Sequence, residues 1–173
     1  VDALKIEGRL KRPEYVATVV RIYRNLLDRL GQGNFYVAPA ETLALAQAFN
    51  RGFSAGYILG RPGRDLMSYR RPNNRGVFLG RVLSYDPEHQ AALIKLSLPL
   101  RAGDGLEFWV SEGGRVGTEV KRLAVGGQER PAAEAGEVAE VTVTGRVKPG
   151  DRVFKTADAV LLREARESFA GEK

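Results

Sequence analysis

Apolar residues follow three regimes along the chain: helical spacing at the start, no sustained period in the middle, and two-residue alternation from Val77 onward. Val16, Val19, Val20, Tyr23, Leu26, Leu27 and Leu30 recur three and four apart, which aligns them as one stripe of an α-helix. Pro13 fits the first turn of that helix, where a missing N–H costs nothing, and Gly31 fits the position just past its end. Ahead of it, Ala3-Leu4-Lys5-Ile6 is a short strand-like run that ends at Glu7-Gly8-Arg9. Strand, polar loop and helix make a βα unit, which cannot bury its own stripe and needs a neighbouring sheet. That neighbour is expected to be absent from this sequence.

From Gln32 to Gly76 the pattern is broken. Pro39 opens a short helix expected to run to Phe49, with Leu43 and several alanines as good helix formers. Beyond it, Gly52, Gly56, Gly60 and Gly63 with Pro62 and Pro72 interrupt any long element. The four-residue spacing of the first three glycines would give a small-residue helix face, but loop geometry is the expected outcome in a chain of this polarity.

From Val77 to Thr156 the spacing predicts β-strands at 77–85, 90–98, 106–110, 118–125, 138–144 and 152–155. Asp86-Pro87-Glu88-His89 reads as a hairpin connection with Pro where a type I turn accepts it. Further turns fall at Ala102-Gly103-Asp104-Gly105, Glu112-Gly113-Gly114, Gly126-Gly127 and Lys148-Pro149-Gly150-Asp151. Leu106, Phe108 and Val110 alternate with Glu107, Trp109 and Ser111, so one face is buried. A closing helix is expected over 159–169 with Asp158 as its N-cap. Short strands in this number suggest a small antiparallel barrel or sandwich, and closure into a barrel would remove exposed edges.

Composition narrows the class. A 173-residue chain with 43% hydrophobic and 28% charged residues is globular, and suffices for one domain with an appendage. No apolar run approaches the ~20 residues that cross a bilayer, so no membrane partner is expected. The sequence opens Val1-Asp2 without Met and is expected to be a piece of something longer. The absence of Cys and the single His exclude thiolate metal sites, disulfides, cysteine nucleophiles and His-based triads within this piece. No cofactor or metal is expected here, and a reducing, cytoplasmic location is weakly favoured.

Charge is concentrated. Residues 46–81 hold Arg51, Arg61, Arg64, Arg70, Arg71, Arg75 and Arg81 against Asp65 alone, which accounts for the net +6 of the whole chain. Guanidinium forks suit phosphate or carboxylate, so an anionic partner is the first hypothesis.

Four motif blocks carry a family resemblance: residues 4–15 (Leu4 through Tyr15), Phe49-Asn50-Arg51-Gly52-Phe53, Asp65-Leu66-Met67-Ser68-Tyr69 and Arg71-Pro72-Asn73-Asn74-Arg75-Gly76. In this order they resemble the carboxy-terminal part of peptidase family U32, the collagenase-like peptidases of unknown catalytic type. The resemblance implies that residues 1–31 are the last strand and helix of an upstream TIM-like catalytic barrel. Residues 32–76 would then be an arginine-rich connection, 77–157 a β-barrel and 158–173 a terminal helix and tail. More loosely, Gly80-Arg81-Val82, the run 100–108 and the run 147–154 are similar to the second-domain barrel of translation GTPases. The expected fold is therefore mainly β with flanking helices, preceded by a βα remnant.

If Ile6 ends a barrel strand, Glu7 and Arg9 stand near the rim where barrel enzymes place catalytic groups. Glu7 would serve as acid, base or ligand and Arg9 would bind an anion, or the two simply pair at a barrel edge. Arg51, Arg70, Arg71 and Arg75 would contact phosphates, Tyr69 would stack on an unpaired base, and Asn73 and Asn74 would read base edges. The competing reading packs these arginines at a domain junction. His89 is expected to face solvent. Trp109 is either a surface stacking platform or half-buried against the closing helix. Two functions follow: an accessory domain positioning a macromolecular substrate for an upstream peptidase barrel, or an RNA-binding module of a tRNA or rRNA hydroxylation factor. The latter resemblance implies iron–sulfur chemistry through cysteines that this chain lacks. Partners are thus the upstream barrel, RNA or a protein substrate, with homodimerisation through the bare helix as a further expectation.

Overall fold

The computed structural model describes residues 3–50, 52–56, 58, 60, 74–111 and 114–171, which form two compact units, Val1–Arg75 and Gly76–Lys173. In the first unit, α1 (Pro13–Gly31) and α2 (Pro39–Ala48) pack on each other. Both helices start with Pro in the first turn, as the sequence leads one to expect. Gly31 is the last helical residue and not the one past the end, because the Gln32 N–H still reaches the Asp28 and Arg29 carbonyls.

The strand expected over Ala3–Ile6 does not form among the described residues, which are irregular from 3 to 8. A strand needs a neighbour to take its N–H and C=O groups, and a single extended run has none of its own. Leu4 stays 53% exposed. Gly52, Gly56 and Gly60 lie in turn or loop conformations, which removes the small-residue helix face.

The second unit is a curled antiparallel sheet. Its strands in chain order are β1 (Val77–Asp86), β2 (Ala91–Leu96), β3 (Leu100–Arg101), β4 (Gly105–Trp109), β5 (Arg115–Glu119), β6 (Leu123–Val125), β7 (Gln128–Arg130), β8 (Ala132–Ala133), β9 (Val138–Thr142) and β10 (Arg152–Ala157), followed by α3 (Ala159–Glu167). The ladder runs β5-β4-β10-β1-β2-β9-β6-β7, with β3 and β8 paired separately.

The expected strand over 118–125 is broken. Val120 turns inward to 1% exposure and exchanges backbone hydrogen bonds with the 103–104 turn, so β5 pairs with β4 while β6 pairs with β9. Only residues 120–122 separate β5 from β6, which are near opposite ends of the ladder, so the sheet must curl round on itself. The β5 edge is then sealed by side chains: Thr118 Oγ1 donates to the Thr142 carbonyl at 3.4 Å, and the Val116 methyls fill the space beside Gly145. The ladder itself does not close between β5 and β7, so closure is partial. Two bulges in β1, at Leu79 and Leu83, add the curvature. Gly80 lies so close to the Lys95 carbonyl of β2 that no Cβ fits there.

The inward positions are the alternating ones. Leu79, Val82, Ile94, Leu96, Leu106, Phe108, Leu123, Val141 and Val153 are almost fully buried in one core. The short strands β3, β7 and β8 escape sequence reading because two or three residues cannot display a period, and β7 is exposed throughout.

Three turns share one construction. In 101–104, 134–137 and 148–151 the acid closing the turn accepts the first residue's N–H through its carboxylate and donates its own N–H to that residue's carbonyl. Gly103, Gly136 and Gly150 occupy the third position with φ near +90°, the left-handed conformation of a type II turn. Asp104 and Asp151 are buried and use their second oxygen to hold distant backbone, at Ala159 N and Ser111 N respectively.

Candidate functional site

In the first unit, Lys11 Nζ lies 3.3 Å above the Phe49 ring and Tyr15 meets the same ring edge-on at 6.1 Å. Phe49 is the extended residue that ends α2, so these contacts tie the start of α1 to the end of α2. The next residue, Asn50, is a clasp. Its N–H donates to Asn74 Oδ1 at 2.9 Å, its carbonyl accepts from Arg75 N at 2.9 Å, and its own side chain accepts from Gly52 N at 2.8 Å. Asn50 is therefore joined to Asn74 and Arg75, more than twenty positions later in the chain. Asn74 spends its oxygen on that clasp. Arg51, Tyr69, Arg70, Arg71 and Asn73 lie outside the described residues.

Glu7 and Arg9 are near neighbours, as their spacing requires, but their relation is local. The Arg9 backbone N–H donates to Glu7 Oε1 at 2.8 Å, and Lys5 Nζ stands 4.0 Å from Glu7 Oε2 with both side chains mostly exposed. The following turn is strained: Leu10 takes φ +61° and exposes 98% of its surface, an uncommon state for a bulky apolar residue.

On the far side of α1, Arg29 pairs with Glu41 and lies 4.3 Å over the Tyr36 ring. The Ala38 N–H and the Arg29 guanidinium hold the Glu41 carboxyl below its ordinary value. Val20, Tyr23, Leu27 and Leu30 of the α1 stripe remain substantially exposed, whereas Val19 and Ile22 are buried.

In the second unit, His89 is exposed in its turn with Nδ1 2.7 Å from Asp86 Oδ2. That ring holds the Asp86 carboxyl below the usual carboxylate range. A shallow hollow of ≈ 320 Å³ beside it is walled by His89, Arg122, Glu129 and Glu140, and Arg122 and Glu129 already neutralise each other at 2.8 Å.

The outer face of the sheet holds a cluster that sequence reading only touched through Trp109. Trp109 stacks on Phe154 at 4.3 Å, and Phe154 meets Phe78 edge-on at 5.7 Å. The indole N–H donates to Glu107 Oε1 at 2.8 Å, which also takes Arg115 at 2.6 Å. The guanidiniums of Arg115 and Arg152 both lie 5.0 Å from the Trp109 ring. The signal for this cluster was available: in each strand these are the positions that alternate with the buried ones. Their coming together needs the strand order.

Of the motif residues, Lys11, Tyr15 and Phe49 thus meet in one cluster and Asn50, Asn74 and Arg75 in another. Residues 1–68 match the model of Peptidase family U32. Over that stretch the chain resembles peptidase family U32. The tRNA hydroxylation protein P1 of Bacillus subtilis is 32% identical over 65% of this chain and 28% of its own length. A collagenase of Porphyromonas gingivalis is 29% identical over 90% of this chain and 44% of its own length. The chain thus spans less than half the length of these two relatives. Among solved structures, the carboxy-terminal domain of a Geobacillus thermoleovorans protein described as a U32 peptidase shares 28% identity. It covers 45% of this chain and 98% of that one, with a TM-score of 0.43. No helix among the described residues is long and apolar enough to cross a membrane.

Proposed function

We propose that this chain is the substrate-handling, carboxy-terminal part of a larger U32-type protein, and that it positions a macromolecule for a catalytic barrel supplied upstream. The observation that carries this reading is the U32 match over residues 1–68, set against relatives more than twice as long as the segment they share with this chain. In this account residues 1–31 dock onto that barrel through the apolar face of α1, whose Tyr23, Leu27 and Leu30 are exposed. In the isolated chain the same face drives association between copies. Glu7 and Arg9 stand at the barrel rim, Glu7 as an acid, base or ligand and Arg9 as an anion contact. The protein works in the cytoplasm as a hydrolase of collagen-like chains.

A second reading makes the partner RNA. It is favoured by the outer-face cations Arg81, Lys95 and Arg152, which among the described residues contact carbonyls or a ring and no acid, and by the name of the Bacillus relative. Here Arg51, Arg70, Arg71 and Arg75 contact phosphate, and Tyr69, Asn73 and Asn74 contact bases.

The two are separated by paired assays on the 173-residue chain. Substrate handling without catalysis predicts retention on immobilised gelatin with no cleavage; cleavage by the chain alone overturns the upstream assignment. A folded R70A/R71A/R75A variant that keeps full RNA affinity removes the arginine segment from the RNA reading.

A further inference from the structure

The ladder registers place one row of residues straight across the outer face of the sheet. Arg115 of β5 is opposite Trp109 of β4, Trp109 opposite Arg152 of β10, Arg152 opposite Arg81 of β1, and Arg81 opposite Lys95 of β2. Directly opposed residues project to the same side of a sheet. With strands about 4.8 Å apart, the row from β5 to β2 is about 19 Å long. It carries four cations and no acid.

Like charges set directly opposite each other destabilise a sheet, so this row works against the fold that holds it. Elsewhere in the same unit some arginines are matched to acids: Arg122 with Glu129 at 2.8 Å and Arg130 with Glu137 at 3.1 Å. Among the described residues, only Arg115 of the row has such a match, with Glu107. Among the described residues Arg81 instead donates to the Gly150 carbonyl at 3.0 Å, Lys95 to the Gly136 carbonyl at 2.5 Å, and Arg152 lies against Trp109. These three side chains are exposed. Their contacts fix where the charges stand without neutralising them. Both carbonyls belong to the glycines of the acid-closed turns, so the turns also aim these two cations.

Beside the row, on the same face, runs the aromatic series Phe78, Phe154 and Trp109, with Phe78 38% exposed. Fixed cations at strand spacing next to an exposed aromatic edge suit a chain that has a phosphate at every unit and bases free to stack. A duplex hides those bases, and an acidic peptide has a stacking group only where an aromatic residue happens to fall, not at every unit.

We propose that the row Arg115–Trp109–Arg152–Arg81–Lys95 is a contact surface for single-stranded RNA, with Arg152, Arg81 and Lys95 on successive phosphates and Phe78 against a base. This names a surface distinct from the arginine-rich segment and rests on the RNA reading of the partner.

The test uses the whole chain and a fluorescein-labelled, unstructured oligouridine, with anisotropy read across a salt series. R81Q/K95Q/R152Q is compared with R122Q/R130Q/R163Q, which removes the same charge from acid-paired sites, and circular dichroism checks both folds. The row triple is expected to weaken binding on the order of tenfold and to flatten the log K against log salt slope by about 2, as three lost single-strand phosphate contacts require. The control triple should do neither. Trp109 is the sole tryptophan, so its emission should also change on binding. Equal effects of the two triples, or tighter binding of a duplex of the same length, overturn the surface while leaving RNA as the partner. If F78A is the folded comparator when the row triple fails to fold, unchanged affinity overturns the proposal. No binding by the unmodified chain overturns the RNA reading along with it.

Discussion

Lys155 Nζ lies 2.8 Å from Asp104 Oδ2, and both side chains are sealed from solvent at 3% and 0% exposure. A second carboxylate, Asp158, joins at 3.1 Å. Asp104 also accepts the N–H groups of Arg101 and Ala159, so one side chain closes a turn, pairs with β10 and anchors the start of α3. Removing it leaves a buried ammonium with half its compensation. Asp104→Ala should cost about 3–5 kcal/mol in urea unfolding, the usual penalty for breaking a buried pair from one side. Asp104→Ala with Lys155→Met should cost less than the single change, because the stranded charge is gone. A double variant less stable than the single one would contradict this.

The three acid-closed turns predict a ranking. Asp151 is buried and holds both Lys148 N and Ser111 N, while Glu137 holds Glu134 N at a more open site. Asp151→Ala should destabilise by about 2–4 kcal/mol, from two part-buried N–H donors that lose a buried acceptor, and Glu137→Ala by about 1 kcal/mol or less. Urea midpoints for the pair check the order, and equal losses would show that burial is not what gives these turns their weight.

Acid should act through Asp158. Burial pushes its carboxyl upward, but the Leu161 N–H and the Lys155 ammonium outweigh that, and the net shift is downward. A depressed folded value adds stability above the unfolded value of about 3.9, and that stability is lost as pH falls through the folded value. Asp158→Asn keeps an N-cap acceptor but removes the charge. The Tm gap between wild type and variant should be constant at neutral pH and shrink below about pH 4. A gap that persists to pH 2 would exclude the carboxylate as its source.

How much of this was legible in the sequence depended on whether a residue's partners were close in the chain. The β1–β2 hairpin, the Gly126-Gly127 turn and the Asp158 cap follow from local patterning and are found as expected. The break at Val120 is not local. It exists because the turn at Asp104, more than a dozen positions earlier, takes the Val120 backbone, which no period within 118–125 reveals. The strand at Leu4–Ile6 failed for the opposite reason: its alternation is adequate, but a strand needs hydrogen-bonding neighbours that a local pattern does not provide. Among the candidate site residues, Glu7, Arg9, Asn74 and Arg75 were singled out by motif alone. The outer-face row was missed because Arg81, Lys95, Trp109, Arg115 and Arg152 are scattered over five strands and meet only through register.

The central claim is that Gly76–Lys173 serves to hold a macromolecule while chemistry is done elsewhere in a larger U32-type protein. It is tested most directly by steady-state kinetics of such a protein, intact and with this unit deleted, on gelatin and on a short collagen-like peptide. The account predicts a raised KM for gelatin with kcat and KM for the peptide unchanged. Loss of peptide turnover on deletion, or an unaltered KM for gelatin, would contradict it.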